Sequence, residues 1–225
     1  MNPLNVRVYA KLNKYLDKLL VKMRRKKINN TDFSIICNNC WGGYVYRRYG
    51  LPYLSPTVGL YFYASDYIKL VYDLKNYMEK PLVFIPYVES KHKAEIIKKG
   101  QQNAPIARLG DIEIIFLHYK SEKEAREKWE RRVKRINYHN LIFKFSKMNG
   151  CTLEDLRKFD ELAVSKKFMF VPPSDATTFK SAIAFKSAKN LEEIKQDTDE
   201  YNRYVQLNKV INAQYVCGNY IQKGE

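Results

Sequence analysis

The chain has 225 residues and a formal net charge of +16, and 45% of its residues are hydrophobic. A chain of this length can bury most of its apolar surface, which excludes a largely disordered protein and a small domain that depends on disulfides. No window of about 18 apolar residues is present, so no transmembrane helix is predicted. No cleavable signal peptide is recognised, so we expect a cytoplasmic protein.

The pattern of basic and apolar residues over 1–28 predicts a basic amphipathic helix. A single domain follows over residues 29–225. The first 30 residues contain nine Lys and Arg and one acid, which is about half of the net charge. The apolar residues recur at helical spacing, namely Leu12, Leu16, Leu19, Leu20 and Met23. Such a helix either packs on the domain or makes peripheral contact with an anionic membrane. Nucleic acid is not an expected partner, because no recognised binding module accompanies the charge.

The domain alternates apolar runs with amphipathic segments. Predicted strands cover 33–37, 58–63, 82–85, 141–145, 168–171 and 181–185, and a hairpin covers 104–117. Predicted helices cover 44–49, 65–78, 121–136, a segment after Thr152 and most of 191–216, whereas 89–104 is predicted to be irregular. The alternation predicts a layered α/β/α fold with a mixed, mostly parallel sheet.

Ligands of open α/β sheets bind beyond the carboxyl ends of the strands, and this rule selects the candidate site. The first strand ends before Asn38, the second ends before Asp66, and the second hairpin strand ends before His118. The candidate catalytic residues are Cys40, Asp66 and His118. The candidate substrate-binding residues are Asn38, Asn39, Trp41, Gly42, Gly43, Asp111, Arg131 and Arg132. No metal-ligand spacing is present, and the cofactor is unknown.

A series of unusual motifs runs through the domain: Asn38-Asn39-Cys40-Trp41-Gly42-Gly43, Gly50-Leu51-Pro52-Tyr53, Ser55-Pro56 with Gly59-Leu60, Leu109-Gly110-Asp111, Phe116-Leu117-His118-Tyr119, Lys128-Trp129 with Arg131-Arg132, and Arg135-Ile136-Asn137. In this order, the series resembles a bacterial family of unknown function that is often labelled exopolysaccharide or capsule biosynthesis protein. The resemblance covers about residues 30–212. It implies an α/β fold and a role in cell-surface glycan synthesis, and it implies no mechanism.

Acyl transfer is one chemistry that fits the candidate residues. A Cys40 thiolate at a helix N-terminus would be the nucleophile, with His118 as its proton acceptor. The Asn38 and Asn39 amides, together with backbone N–H groups of the glycines that follow, would stabilise an oxyanion.

Glycosyl transfer is the second chemistry. Asp66 and Asp111 would supply carboxylates, and the arginines Arg131 and Arg132 would hold a donor phosphate. No G-x-G-x-x-G, P-loop or D-x-D motif supports a standard nucleotide site. The sequence therefore predicts a transferase that acts on a sugar or lipid-linked glycan precursor. The alternative is a non-enzymatic accessory or scaffold protein of the same glycan machinery.

Overall fold

The computed structural model describes residues 19–222. Leu12 and Leu16 of the predicted N-terminal helix, with four of its nine basic residues, lie outside the described residues. Residues 19–25 are helical and form the described part of α1. Across residues 19–222, no helix is both long enough and apolar enough to cross a membrane.

The described residues form two sheets and a set of mostly short helices. The strands are β1 Ser34–Cys37, β2 Leu82–Ile85, β3 Ile106–Leu109, β4 Ile112–Ile115, β5 Leu141–Ser146, β6 Lys167–Val171 and β7 Ala182–Ala184. The further helices are α2 Trp41–Arg48, α3 Ala64–Tyr72, α4 Leu74–Glu79, α5 Lys93–Lys98, α6 Glu122–Val133, α7 Leu153–Glu161, α8 Leu207–Asn212 and α9 Gly218–Ile221.

The predicted α/β fold is confirmed, and the hairpin is the main difference in detail. A four-stranded sheet has the order β1-β5-β6-β7, and all of its pairings are parallel. The hairpin strands β3 and β4 pair with β2 in a separate antiparallel sheet. The predicted strand 58–63 is an extended segment with one bridge, from Tyr61 to Ile115, on the edge of this second sheet.

Apolar residues cover both faces of the parallel sheet, as a buried parallel sheet requires. Ile36 and Phe145 face one core, which includes residues of α3, α7 and the antiparallel sheet. Ile35 and Phe168 face a second core, which includes Trp41 of α2. The alternation of neighbouring residues between the two cores follows from the two-residue period of a strand.

Two predicted helix starts are confirmed by their caps, and three other local predictions are wrong. Ser121 caps α6, and Thr152 caps α7 in a capping box. The sequence favours Ser65 or Asp66 as the cap of the predicted helix 65–78, but α3 begins at Ala64 and the buried Asp66 carboxylate bonds to other side chains instead. Residues 93–98, predicted irregular, form α5. In 191–216, predicted mainly helical, only α8 is α-helical.

Candidate functional site

A cleft lies at the carboxyl edge of the parallel sheet, where β1 leads into Asn39 and Cys40 and β5 leads into Met148 and Asn149. It consists of three adjoining cavities. The arginine cavity, about 320 Å³, is lined by Arg47, Lys128 and Arg132, among others. The central cavity is about 390 Å³, and the histidine cavity, about 600 Å³, is lined by Tyr63, His92, Glu95 and Glu193, among others.

The three cavities share lining residues, so they adjoin one another along the cleft. Cys40, Tyr44 and His118 line both the arginine and the central cavity. Lys99 and Asn149 line both the central and the histidine cavity. Lys99 also donates to Asn149 Oδ1 at 2.8 Å, so this pair marks the place where the central and histidine cavities meet.

Cys40 and His118 line the same two cavities, but the environment of Cys40 does not favour a nucleophile. The Cys40 thiol is largely buried and donates to the Leu60 carbonyl oxygen over 3.6 Å. Burial, with smaller contributions from Cys37 and Asp197, raises the pKa of Cys40 to about 12. The thiol is therefore protonated near neutral pH, whereas acyl transfer through Cys40 needs the thiolate.

The histidine cavity contains a paired carboxylate and imidazole that the sequence did not reveal. Asp66, in the first turn of α3, is fully buried, and its Oδ2 lies 2.8 Å from His92 Nε2. The His92 ring stacks on Tyr63, with ring centroids 3.7 Å apart and planes 15° from parallel. His92 lines the cavity, and Asp66 lies behind it. The candidate residue Asp66 therefore reaches the cleft only through His92.

The hydrogen bonds around Asp66 fix which nitrogen of His92 carries a proton. Asp66 also accepts from the Lys91 ammonium and from the Glu113 backbone N–H at 3.3 Å. Because these donors reach both of its oxygens, the carboxylate acts as the acceptor in its contact with His92, and His92 Nε2 donates to it. In a neutral imidazole, Nδ1 is then the proton acceptor. A carboxylate that orients an imidazole in this way is the arrangement of a general base.

Below the central cavity lies a fully buried ion pair between Lys144 of β5 and Asp197. The Lys144 ammonium also donates to Ser146 and, at 3.3 Å, to Asn39 Oδ1. Asp197 accepts from Asn39 Nδ2 at 2.8 Å and from Ser146 Oγ at 2.6 Å. Asn39 and Asp197 both line the central cavity, so this network builds part of the cleft wall.

The chain matches the family described as "Domain of unknown function (DUF1919)" over residues 11–217. It belongs to this family. The DUF1919 match spans every cleft residue described above. An uncharacterized protein of Haemophilus influenzae (strain ATCC 51907 / DSM 11121 / KW20 / Rd) is 30% identical over 188 residues, which is 84% of this chain and 81% of that protein. The similarity to this relative therefore extends over most of both chains.

Three predicted substrate-binding residues of this DUF1919 chain have structural roles instead. Trp41 is fully buried, packs against Phe168 of β6 and donates to the Tyr201 carbonyl oxygen, so it belongs to the core. Asn38 holds the ends of β1 and β5 together through two bonds to the Ser146 backbone. A β-carbon on Gly42 would lie 3.2 Å from Ile35, so this glycine lets α2 pack closely on the sheet.

Two other predicted residues lie away from the cleft. Asp111 is an exposed turn residue that bonds to Lys69 and Tyr77, and these two bonds hold the pKa of its carboxyl below the usual range. Arg131 is exposed and does not line any of the three cavities. Arg132, the next residue of α6, is buried and lines the arginine cavity with Gly43. Adjacent residues of a helix point about 100° apart, which explains why only one of the two arginines enters the cleft.

Sequence reasoning missed His92, Lys144 and Asp197. His92 follows β2 within a polar segment that lacks periodicity, so no pattern singled it out. Lys144 offered a usable signal, because it interrupts the apolar strand Leu141–Ser146 between two phenylalanines. A lysine in a strand whose two faces are both buried is itself buried. Its positive charge then requires an acidic partner. Over residues 19–222, no group of three or more His, Cys, Asp and Glu is arranged to hold a metal ion.

Proposed function

We propose that the chain is a glycosyltransferase of exopolysaccharide or capsule biosynthesis, which moves a sugar from a phosphate-bearing donor to a hydroxyl of a glycan precursor. The observation that carries the proposal is the His92–Asp66 pair, which supplies an oriented base at one end of the cleft. The motif series that resembles capsule biosynthesis proteins supports the glycan context.

The charges along the cleft support a division between donor and acceptor. Arg47, Lys128 and Arg132 line one end, where no carboxylate lines the cavity. Glu95 and Glu193 line the other end beside His92, together with Lys99 and Lys195, so that end carries both signs of charge. Positive groups favour the phosphate of a donor, and carboxylates beside a histidine favour the hydroxyl groups of an acceptor sugar.

The proposed transfer step requires the anomeric carbon of the donor to lie in the central cavity, between the arginine cavity that holds its phosphate and the histidine cavity that holds the acceptor. His92 Nδ1 accepts the proton of an acceptor hydroxyl, and the oxygen of that hydroxyl forms a bond to the anomeric carbon of the donor. The bond between this carbon and the donor phosphate breaks, and its electron pair leaves with the phosphate. Asp66 stabilises the imidazolium that forms, which then releases its proton to solvent.

A donor panel tests the proposed function. The full chain is incubated with nucleotide-sugars, and with acetyl-CoA as the donor for acyl transfer, each with an oligosaccharide acceptor. We expect at least one nucleotide-sugar to raise the melting temperature and to be consumed in the presence of acceptor. If acetyl-CoA is the one donor that is consumed, the proposed reaction is acyl transfer and not glycosyl transfer. If no donor binds or reacts, the proposal fails, and the alternative of an accessory or scaffold protein takes its place.

The exposed apolar side of α1 supports a location at the cytoplasmic face of the membrane, where lipid-linked precursors are found. Leu19, Leu20 and Met23 are exposed rather than packed on the domain. Lysines and arginines of the same segment would each contribute about 1 kcal/mol near an anionic surface. We expect the full chain to sediment with phosphatidylglycerol vesicles and not with phosphatidylcholine vesicles, and Leu19→Glu/Leu20→Glu to weaken sedimentation. Equal sedimentation with both kinds of vesicle would exclude this contact, and so would the absence of sedimentation with either kind.

A further inference from the structure

We infer that the arginine cavity is a binding site for a diphosphate group. The site rests on its own geometry, and its assignment to the leaving group of the donor rests on the proposed function. It takes residues from α2, α6 and the loop before α3, which lie far apart in the sequence.

Arg132 provides the main observation, because its positive charge is buried without a negative partner. Its residue is 6% exposed. Among residues 19–222, only its Nη1 makes hydrogen bonds, to the Val58 carbonyl oxygen at 3.0 Å and to the Tyr119 hydroxyl at 2.5 Å, and the guanidinium also lies 4.9 Å from the centre of the Tyr53 ring. Both acceptors are neutral, and no carboxylate in the described part of the chain pairs with the guanidinium. A buried charge without a counter-charge is unfavourable, and an anion bound in the cavity would remove that penalty.

The surrounding residues add to the positive charge. Arg47 lies in the last turn of α2, with its guanidinium 4.3 Å from the centre of the Tyr44 ring, and no acidic partner for it is found within residues 19–222. Lys128 is paired with Glu124 at 2.5 Å, so its charge is partly compensated. Arg47 and Arg132 therefore supply the excess charge.

Two glycines keep the cavity open and hold its wall in place. Gly59 has a φ of +79°, and a β-carbon there would lie 3.1 Å from the Tyr119 ring. A β-carbon on Gly43 would lie 3.0 Å from Val58. Because Val58 and Tyr119 are the two acceptors of Arg132, larger residues at these glycines would displace the groups that orient its guanidinium.

The ligand class follows from the donors and the space. A guanidinium presents parallel N–H groups that match two oxygens of one phosphate, and the cavity contributes two guanidiniums and one ammonium. A volume of about 320 Å³ is more than one phosphate needs, which favours two linked phosphates. Nucleotide-sugars and lipid-linked sugars both contain this group.

Titration of the full chain with inorganic pyrophosphate by calorimetry tests the site. We expect binding that Arg47→Gln weakens about tenfold or more, since a hydrogen bond to a charged group is lost. Arg132→Lys keeps the positive charge but loses the parallel N–H groups of the guanidinium. Weaker binding of pyrophosphate by this variant also supports the site. Arg47 and Arg131 are both exposed, but only Arg47 lines the cavity, so Arg131→Gln is the matched control that removes an equal charge elsewhere. It should change the dissociation constant by less than about twofold, as expected of a screened surface charge.

Two results would overturn the inference: no pyrophosphate binding to the unchanged chain, or equal weakening by Arg47→Gln and Arg131→Gln. Parallel titrations with uridine diphosphate and with farnesyl diphosphate distinguish a nucleotide source from a lipid source. If pyrophosphate binds at this site but no donor is consumed, the site stands and the proposed function fails. If a donor is consumed and Arg47→Gln does not affect its binding, the function stands and this site is wrong.

Discussion

Replacing Lys144 with methionine is expected to lower the free energy of unfolding by about 3–5 kcal/mol. Methionine keeps the length of the side chain but leaves the Asp197 carboxylate buried without its cation. Lys144 and Asp197 are both fully buried, so water cannot take the place of the ammonium. This decrease is a large part of the free energy of unfolding of a typical domain, which is roughly 5–15 kcal/mol. Urea unfolding followed by circular dichroism measures it.

Two further variants separate the ion pair from a general effect of charge removal. Arg157→Met deletes one partner of the exposed pair with Glu154 and should cost no more than about 1 kcal/mol. Lys144→Met/Asp197→Leu removes both buried charges and should recover most of the loss. If Lys144→Met costs no more than Arg157→Met, the buried pair does not have the role described here.

The parts of the fold that follow from local patterns could be predicted from the sequence. Short, mainly apolar runs such as 33–37 and 141–145 predicted β1 and β5 because a strand that is buried on both faces is apolar over most of its length. The caps Ser121 and Thr152 were predictable because capping involves residues only three positions apart. The hairpin was predicted, but its membership of a separate sheet was not, because pairing with β2 depends on contacts remote in the sequence.

The 191–206 segment shows where local reasoning failed. Its composition suggested a helix, yet Asp197 lies across the ends of β1 and β5, bonded to Lys144 and Asn39. The backbone of Ile194 also donates to the Lys147 carbonyl oxygen. These contacts with the sheet replace the hydrogen bonds that a helix would make within itself. No pattern within the segment predicts them.

About half of the candidate site could be predicted. The rule for carboxyl ends of strands selected Asn39, Cys40 and His118, which line the cleft. The same rule selected Trp41, because sequence alone does not show which side of α2 faces the core. His92 could not be predicted, since its importance comes from contact with Asp66, 26 positions earlier in the chain.

Replacing His92 with glutamine is expected to lower the turnover number for the donor identified by the panel about 10²- to 10⁴-fold, with a small change in KM. Glutamine can still donate a hydrogen bond to Asp66, so the fold of the cavity should be retained. It cannot accept a proton from the acceptor hydroxyl, so the transfer step loses its base. A loss of kcat without a loss of binding is the signature of a group that acts in the transition state.

His139→Gln is the matched control, because His139 is exposed and does not line the cleft. The comparison of donor consumption by the His92→Gln and His139→Gln chains, measured at equal concentrations of folded protein, tests the assignment of the reaction to this cleft most directly. We predict that His139→Gln retains the full rate and that His92→Gln loses nearly all of it. Equal rates in the two variants would show that the imidazole beside Asp66 takes no part in the transfer.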